Sequence, residues 1–284
     1  MRPKYKNSLT YPQIHGFGAY LASMAYQSFA QLVGFPACLS MPPKGVADTH
    51  GTTVLALKYD GGILNLGDRR ATAANYVMYD RAEKIMPLDD TTLIAISGSF
   101  ARSIEIVRYL KHAFKYYART QLQDLSLEGK LQEVTRALAN NIPMTMEGIG
   151  IFVPLISAFD TNTGRFGIYF YDAMGARFES GEFGAAGSGS ERIRGVFDFI
   201  TRSKGLFEAR SLEEVLVDGL IMLDIAAQLD AATGGFDRIL PSAWYLDATG
   251  VHEVMPEMLI SAAKLAVGSD QQERGGGAPA GGTA

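Results

Sequence analysis

From Thr52 onward the apolar positions fall into blocks of two kinds, one repeating every second residue and one at steps of three and four. "TTVLALKYD" and "ILNLGDRRAT" are period-two runs meeting at Gly61 and Gly62, which predicts a hairpin of strands. "YVMYDRAEKIMPLDDTTLIAIS" supplies two more strand candidates, joined over Pro87 to Asp90. From about Phe100 to Gln123, Ile104, Val107, Leu110, Phe114 and Tyr117 recur at helical steps, so one apolar stripe can lie on a sheet. A second helix, "LEGKLQEVTRALANNI", follows Ser126, whose hydroxyl can cap it. Strands return in "FVPLISAFDTNTGRFGIYFYDAMGARFES", with turns at "TNTG" and "AMGA". After "GAAGSGS", helices are expected over roughly Glu191–Ser203 and Ser211–Asp230, then a hairpin in "ILPSAWYLDATGVHEV" and a last helix in "PEMLISAAKLAV". Strands, helices, strands and helices in this order predict an α+β fold. Two antiparallel sheets pack together with helices outside both, as a four-layer αββα sandwich.

The first fifty residues follow neither period. Between Lys6 and Lys44 there is no Asp, Glu, Lys or Arg, and "GFGAYLASMAYQSFAQLVGF" follows a basic start like a signal peptide or an anchor. Gln27, Ser28 and Gln31 interrupt that run and Pro36 ends it, with no clean small-residue cleavage site behind. The favoured expectation is a removable pro-segment over residues 1–51, with no membrane partner. Residues 52–266 then form the folded body, and the Gly-rich residues 267–284 a flexible tail.

Composition narrows the chemistry. The net charge is −4, and Arg2, Lys4, Lys6 and Lys44 against Asp48 alone make the first 51 residues basic, so the body is more acidic than the whole. An acidic body without basic runs argues against nucleic acid. Cys38 is the only cysteine, which removes a disulfide framework, a cysteine metal cluster and any thiol nucleophile beyond residue 51. The four histidines, His15, His50, His112 and His252, have no metal-ligand spacing, so neither metal nor organic cofactor is expected. A Ser-His-Asp triad would have to use His112 or His252.

Taken singly, the polar residues of the body have ordinary uses. "GDRR" reads as a strand-end turn, Lys84 as a solvated lysine, Ser188 as a flexible loop or a helix cap, and Thr52 and Thr53 as strand residues. Their order and offsets say more. If the chain is cut between Gly51 and Thr52, the new terminus carries a hydroxyl and a free amine. Asp68, Lys84 and Gly98 then lie 16, 32 and 46 residues downstream. With "GTT", "GDRRAT", "EK", "SGS", "GSGS" and "LDAATGG", the stretch from 52 to about 266 resembles proteasome beta subunits, within the N-terminal nucleophile hydrolases. It is closer to the bacterial, actinobacterial type than to the HslV peptidase, which usually has "GDGQ" where this chain has "GDRR".

The resemblance implies a threonine-type endopeptidase. Thr52 would be the nucleophile, and its α-amine, with a reference pKa of about 7.7–8.0, the base. Asp68 would hold Lys84, whose charge polarises the hydroxyl, and Gly98 would offer an N–H to the oxyanion. Ser188, Asp230 and Thr233 would surround the terminal amine, Thr233 replacing an archaeal serine. Arg70 would help orient the lysine and Thr72 would bind the substrate backbone. Ala71, Ala82, Met86, Ile96 and Phe100 align with the pocket for the side chain before the cleaved bond; all are apolar, which predicts hydrophobic preference.

Family membership further implies a zymogen that removes residues 1–51 by its own Thr52. It implies heptameric beta rings stacked between rings of alpha subunits, a ring-shaped ATPase docking on the alpha rings, unfolded proteins as substrates and a cytoplasmic location. The competing readings are a catalytically silent structural ring subunit, and an N-terminal nucleophile amidase or HslV-like peptidase, including a secreted relative.

Overall fold

The computed structural model describes residues 51–73, 76–236 and 239–274. The expected pro-segment up to His50, including Cys38 and the apolar run, lies outside the described residues, as do residues 275–284 of the expected tail. Strands β1 (Thr53–Tyr59), β2 (Gly62–Gly67), β10 (Phe183–Gly187), β11 (Ser242–Asp247) and β12 (Gly250–Glu253) form one antiparallel sheet in the order β10-β1-β2-β11-β12. A second holds β5 (Ile85–Asp89), β6 (Thr92–Ala95), β7 (Leu155–Asp160), β8 (Arg165–Tyr171) and β9 (Arg177–Ser180) in chain order. Among the described residues, β3 (Ala71–Ala73) and β4 (Tyr76–Tyr79) pair only with each other. Helices α1 (Phe100–Gln121) and α2 (Leu127–Met146) pack on the second sheet. Helices α3 (Ser190–Lys204), α4 (Leu212–Leu229) and α5 (Pro256–Arg274) pack on the first.

The strand period sorts residues among three apolar layers. In β1, Leu55 and Leu57 face α3, α4 and α5, while Val54 and Ala56 face the other sheet. In β7 and β8, Leu155 and Ile168 meet Val54 and Ala56 between the sheets, whereas Ile156, Tyr169 and Tyr171 pack under α1 and α2. Each fully buried leucine contributes about 1.5–3 kcal/mol. A one-residue slip of β1 would exchange Val54 and Ala56 for Leu55 and Leu57 in the narrow inter-sheet layer, so the register is strongly fixed. The four layers expected from the sequence are therefore present.

Three details differ from expectation. The β5–β6 turn falls at Asp90 and Thr91, and Pro87 lies inside β5. A proline fits there because β5 is an edge strand whose register shifts between Pro87 and Asp89. Strand β10, hidden in the glycine- and alanine-rich run before Ser188, pairs with β1 from Thr53↔Gly187 to Leu57↔Phe183. Helix α5 runs on to Arg274, through the first part of the segment expected as tail. Ser126 caps α2 as expected, accepting the Gly129 N–H at 3.2 Å, and Ser211 with Glu214 closes a capping box on α4.

The register also gathers one group of chain ends. The start of β1, the end of β2, the end of β10 and the start of β11 share one end of the first sheet. Lys84, just before β5, adjoins that end through its bond to Asp68. No described helix is long and apolar enough to cross a membrane.

Candidate active site

Thr52 sits immediately before β1 and is buried, with 3% of its surface exposed. Its backbone carbonyl accepts the Ser188 N–H at 2.9 Å, continuing the β1–β10 ladder by one residue. Its hydroxyl donates to the Gly51 carbonyl oxygen at 2.7 Å. That oxygen also accepts from Lys84 Nζ at 3.1 Å. Two donors, one of them charged, thus converge on the acyl group joining Gly51 to Thr52. Gly51 itself has no room for a side chain: an added Cβ would lie 2.2 Å from Thr72 Oγ1 and 2.8 Å from the Ala232 carbonyl oxygen.

Lys84 is fully buried and spends all three ammonium protons. Besides Gly51, it donates to Asp68 Oδ1 at 2.7 Å and to the Arg70 carbonyl at 2.5 Å. Burial pulls its pKa below the ordinary lysine value, and the charge and hydrogen bond of Asp68 pull back. Asp68 is equally buried and accepts three backbone N–H groups: Thr53 at 2.8 Å, Arg70 at 3.0 Å and Gly234 at 2.9 Å. A carboxylate so surrounded cannot swing away, so it fixes the lysine in turn.

A second cluster lies on the other side of Thr52. Asp230 Oδ2 accepts from Ser188 Oγ at 2.5 Å and from Thr233 Oγ1 at 2.6 Å, and its Oδ1 from the Ala232 N–H at 3.2 Å. Burial pushes the Asp230 carboxyl upward, but these hydrogen bonds outweigh it and hold the pKa below the usual carboxylate value. Thr53, read from sequence as a plain strand residue, belongs to this cluster: its Oγ1 lies 2.6 Å from Thr233 Oγ1 and accepts the Gly189 N–H at 3.0 Å.

Gly98 has φ +96°, and a Cβ there would stand 2.2 Å from the Ile151 carbonyl oxygen. Ser99 N–H bonds to Ile151 O and Val153 N–H to Ser97 O, so the bridge to Phe152 is of the non-hydrogen-bonded kind. In such a pair the N–H of the central residue, Gly98, points away from its partner strand, and no described residue accepts it.

The Arg70 side chain reaches across to the 231–233 loop, with NH1 3.4 Å from Ala231 O and 3.3 Å from Thr233 O, and Nε 3.4 Å from Asp80 Oδ1. Its carbonyl accepts from Lys84 Nζ. Thr72 lies beside Gly51. Met86, Ile96 and Phe100 belong to the apolar cluster under α1, with Ile96 only 1% exposed, and Ala71 and Ala82 are buried small residues outside that cluster.

His252, one of the two histidines open to a triad, has both its neighbours on one ring nitrogen. Thr249 Oγ1 and Asp247 Oδ1 both face the same His252 nitrogen, at 2.9 and 3.3 Å, rather than opposite sides of the ring. Among the described residues no three His, Cys, Asp or Glu side chains gather as a metal site.

With this geometry in hand, comparison with known proteins is specific. A family model described as proteasome subunit matches residues 48–237, the span that contains every residue of the site. The chain belongs to the proteasome subunit family. Its relatives include a proteasome subunit beta of Acidimicrobium ferrooxidans, 33% identical over 258 residues that cover 88% of this chain and 91% of that protein. A proteasome subunit beta of Acidothermus cellulolyticus is 31% identical over 85% of this chain and 84% of its own length. Proteasome subunit beta 2 of Thermomonospora curvata is 31% identical over 92% of this chain and 95% of its own. The proteasome family fold and the two-sheet sandwich agree. What the sequence had not singled out is the role of Thr53, Gly189 and Gly234; the glycine runs "GSGS" and "ATGG" were the available signal.

Proposed function

We propose that the chain is a catalytic beta subunit of a proteasome core particle, a threonine endopeptidase made as a precursor and activated by its own removal of residues 1–51. The observation that carries this reading is the Gly51 carbonyl oxygen, which accepts both the Thr52 hydroxyl and the Lys84 ammonium. Attack of Thr52 Oγ on the Gly51 carbonyl carbon forms a C–O bond. The C–N bond to Thr52 breaks, its nitrogen takes a proton, and an ester results. Water then hydrolyses the ester, releasing the segment as a carboxylate and restoring the hydroxyl.

Trimming has two consequences. The nitrogen of Thr52, an amide while Gly51 is attached, becomes an amine with a reference pKa of about 7.7–8.0, suited to general-base work near neutral pH. The departure of the Gly51 oxygen also frees one Lys84 donor beside the Thr52 hydroxyl. In peptide cleavage the amine takes the hydroxyl proton as Oγ attacks the substrate carbonyl. Gly98 N–H bonds the developing oxyanion, and the protonated amine returns its proton to the leaving nitrogen. Water releases the acyl enzyme by the same steps in reverse order. Ser188, Asp230 and Thr233 hold the ground around the amine. Ala71, Ala82, Met86, Ile96 and Phe100 shape an apolar pocket that prefers hydrophobic side chains.

The proposal includes the assembly: beta rings of seven between alpha rings, an ATPase ring on the alpha rings, unfolded proteins as substrates, in the cytoplasm; family membership supports the association with alpha subunits in rings. An intact Thr52, Asp68 and Lys84 constellation argues against a silent structural subunit. Purified chain co-expressed with its alpha subunit should begin at Thr52 by N-terminal sequencing and cleave fluorogenic peptides after hydrophobic residues. Thr52→Ala should stay full length and inactive. Normal trimming of that variant, or best cleavage after charged residues, would overturn the respective parts of the reading.

A further inference from the structure

Thr53, the first residue of β1, also has the bonds of a component of the site. It is wholly buried and binds both halves of the site at once. Its N–H donates to Asp68 Oδ1, the oxygen that also holds Lys84, while its hydroxyl touches Thr233 in the Asp230 cluster. The hydroxyl proton can be placed. Thr233 donates to Asp230, whose ionised carboxylate only accepts, so Thr233 Oγ1 is the acceptor toward Thr53. Thr53 Oγ1 in turn accepts from Gly189 N–H. A directed chain results, running Gly189 N–H to Thr53 to Thr233 to Asp230, with Ser188 closing on the same carboxylate oxygen. Each link polarises the next, and no link is open to solvent at Thr53.

Resting on the threonine-protease reading, we propose that Thr53 is a positioning residue for the reaction: its hydroxyl orients Thr233 and through it Asp230 beside the Thr52 amine. Strand formation alone does not require that hydroxyl, since valine serves the same backbone as well. Thr53→Val keeps the shape and removes the chain's central donor, leaving the Gly189 N–H and one Thr233 acceptor site buried without partners.

The test compares Thr53→Val, Thr53→Ser, Thr233→Val and the Thr53→Val/Thr233→Val double variant, each in particles assembled with the alpha subunit. Activity is expressed per chain that intact mass shows to begin at Thr52. The proposal expects Thr53→Val to lower kcat on a fluorogenic peptide by about tenfold or more with KM unchanged, the scale of a lost buried hydrogen bond. Thr53→Ser should restore it. The double variant should be no worse than Thr233→Val alone, because both act on one chain. Parental kcat in Thr53→Val, failure of serine to rescue, or additive losses in the double variant would each overturn it. Should Thr53→Val not assemble, Thr53→Ala beside Thr53→Ser decides: alanine must lower kcat and serine must keep it, and parental kcat in Thr53→Ala overturns the proposal. An active, trimmed Thr52→Ala would instead sink the protease reading itself.

Discussion

Replacing Lys84 by methionine removes one ammonium while nearly keeping its volume, and the structure lets both consequences be sized. Asp68 would be left buried without its counter-ion, and breaking a buried pair from one side costs about 3–5 kcal/mol. The N–H groups of Thr53, Arg70 and Gly234 still bond that carboxylate, which puts the loss at the low end, about 3 kcal/mol. For a body of this size that is a melting shift of about 6–12 °C, at about 2–4 °C per kcal/mol. Asp68→Asn/Lys84→Met, which removes both charges, should recover most of it. Trimming should not recover. One of two donors on the Gly51 oxygen is gone in both variants, and a donor at a comparable position in acyl transfer is worth about 10²–10³ in rate. The assay is a melting curve of each precursor with intact-mass measurement of the fraction beginning at Thr52 against time. A double variant that melts like the parent and trims like the parent would refute the argument that Lys84 acts on the scissile carbonyl.

Other substitutions probe separate parts of the site. Gly51→Ala should fold but trim slowly, because the new Cβ would overlap Thr72 Oγ1 and crowd the Ala232 carbonyl; the readout is precursor remaining on a gel over time. Gly98→Ala forces a left-handed backbone on an L residue, at about 1–2 kcal/mol, and pushes on the Ile151 carbonyl. It should reduce kcat on a fluorogenic peptide more than it lowers the melting temperature. Burial lowers the Lys84 pKa, so its proton is lost at a pH below that of a free lysine, and the trimming rate should fall on the alkaline side earlier than an ordinary lysine would titrate. Lys84→Arg, charged throughout, should show no such fall in a pH series followed by mass, even though its absolute rate is lower.

Layer order was legible because period-two and helical blocks alternate cleanly, and one-sided helices need a sheet to cover. Pro87 misled because proline ordinarily marks a turn, and only pairing reveals that β5 is an edge with a shifted register. Strand β10 was missed because glycine and alanine carry almost no hydrophobic period, yet those small residues suit a strand packed so closely against β1. The offsets of Asp68, Lys84 and Gly98 from Thr52 were readable in one dimension. The contacts of Thr53 were not, since its partners Gly189 and Thr233 are 136 and 180 residues away and meet it only when β1, β10 and the loop after α4 come together.

On the proposed reading, the seat of Gly51 gives a reason for cutting to follow folding. Its carbonyl oxygen is gripped by Lys84, which reaches it only after Asp68 and Arg70 O have fixed the ammonium. A Cβ added to Gly51 would meet Thr72 from β3 and Ala232 in a loop far along the chain. That loop is fastened to β1 through Thr53 and to the end of β2 through the Gly234–Asp68 bond. These contacts join residues far apart in the sequence, so on the proposed reading the bond after Gly51 is presented to Thr52 only once the segments that carry them have come together. On the proposed reading, the nucleophile is therefore unmasked last. The lysine that polarises the precursor's carbonyl becomes free for the mature hydroxyl in the same step that removes that carbonyl.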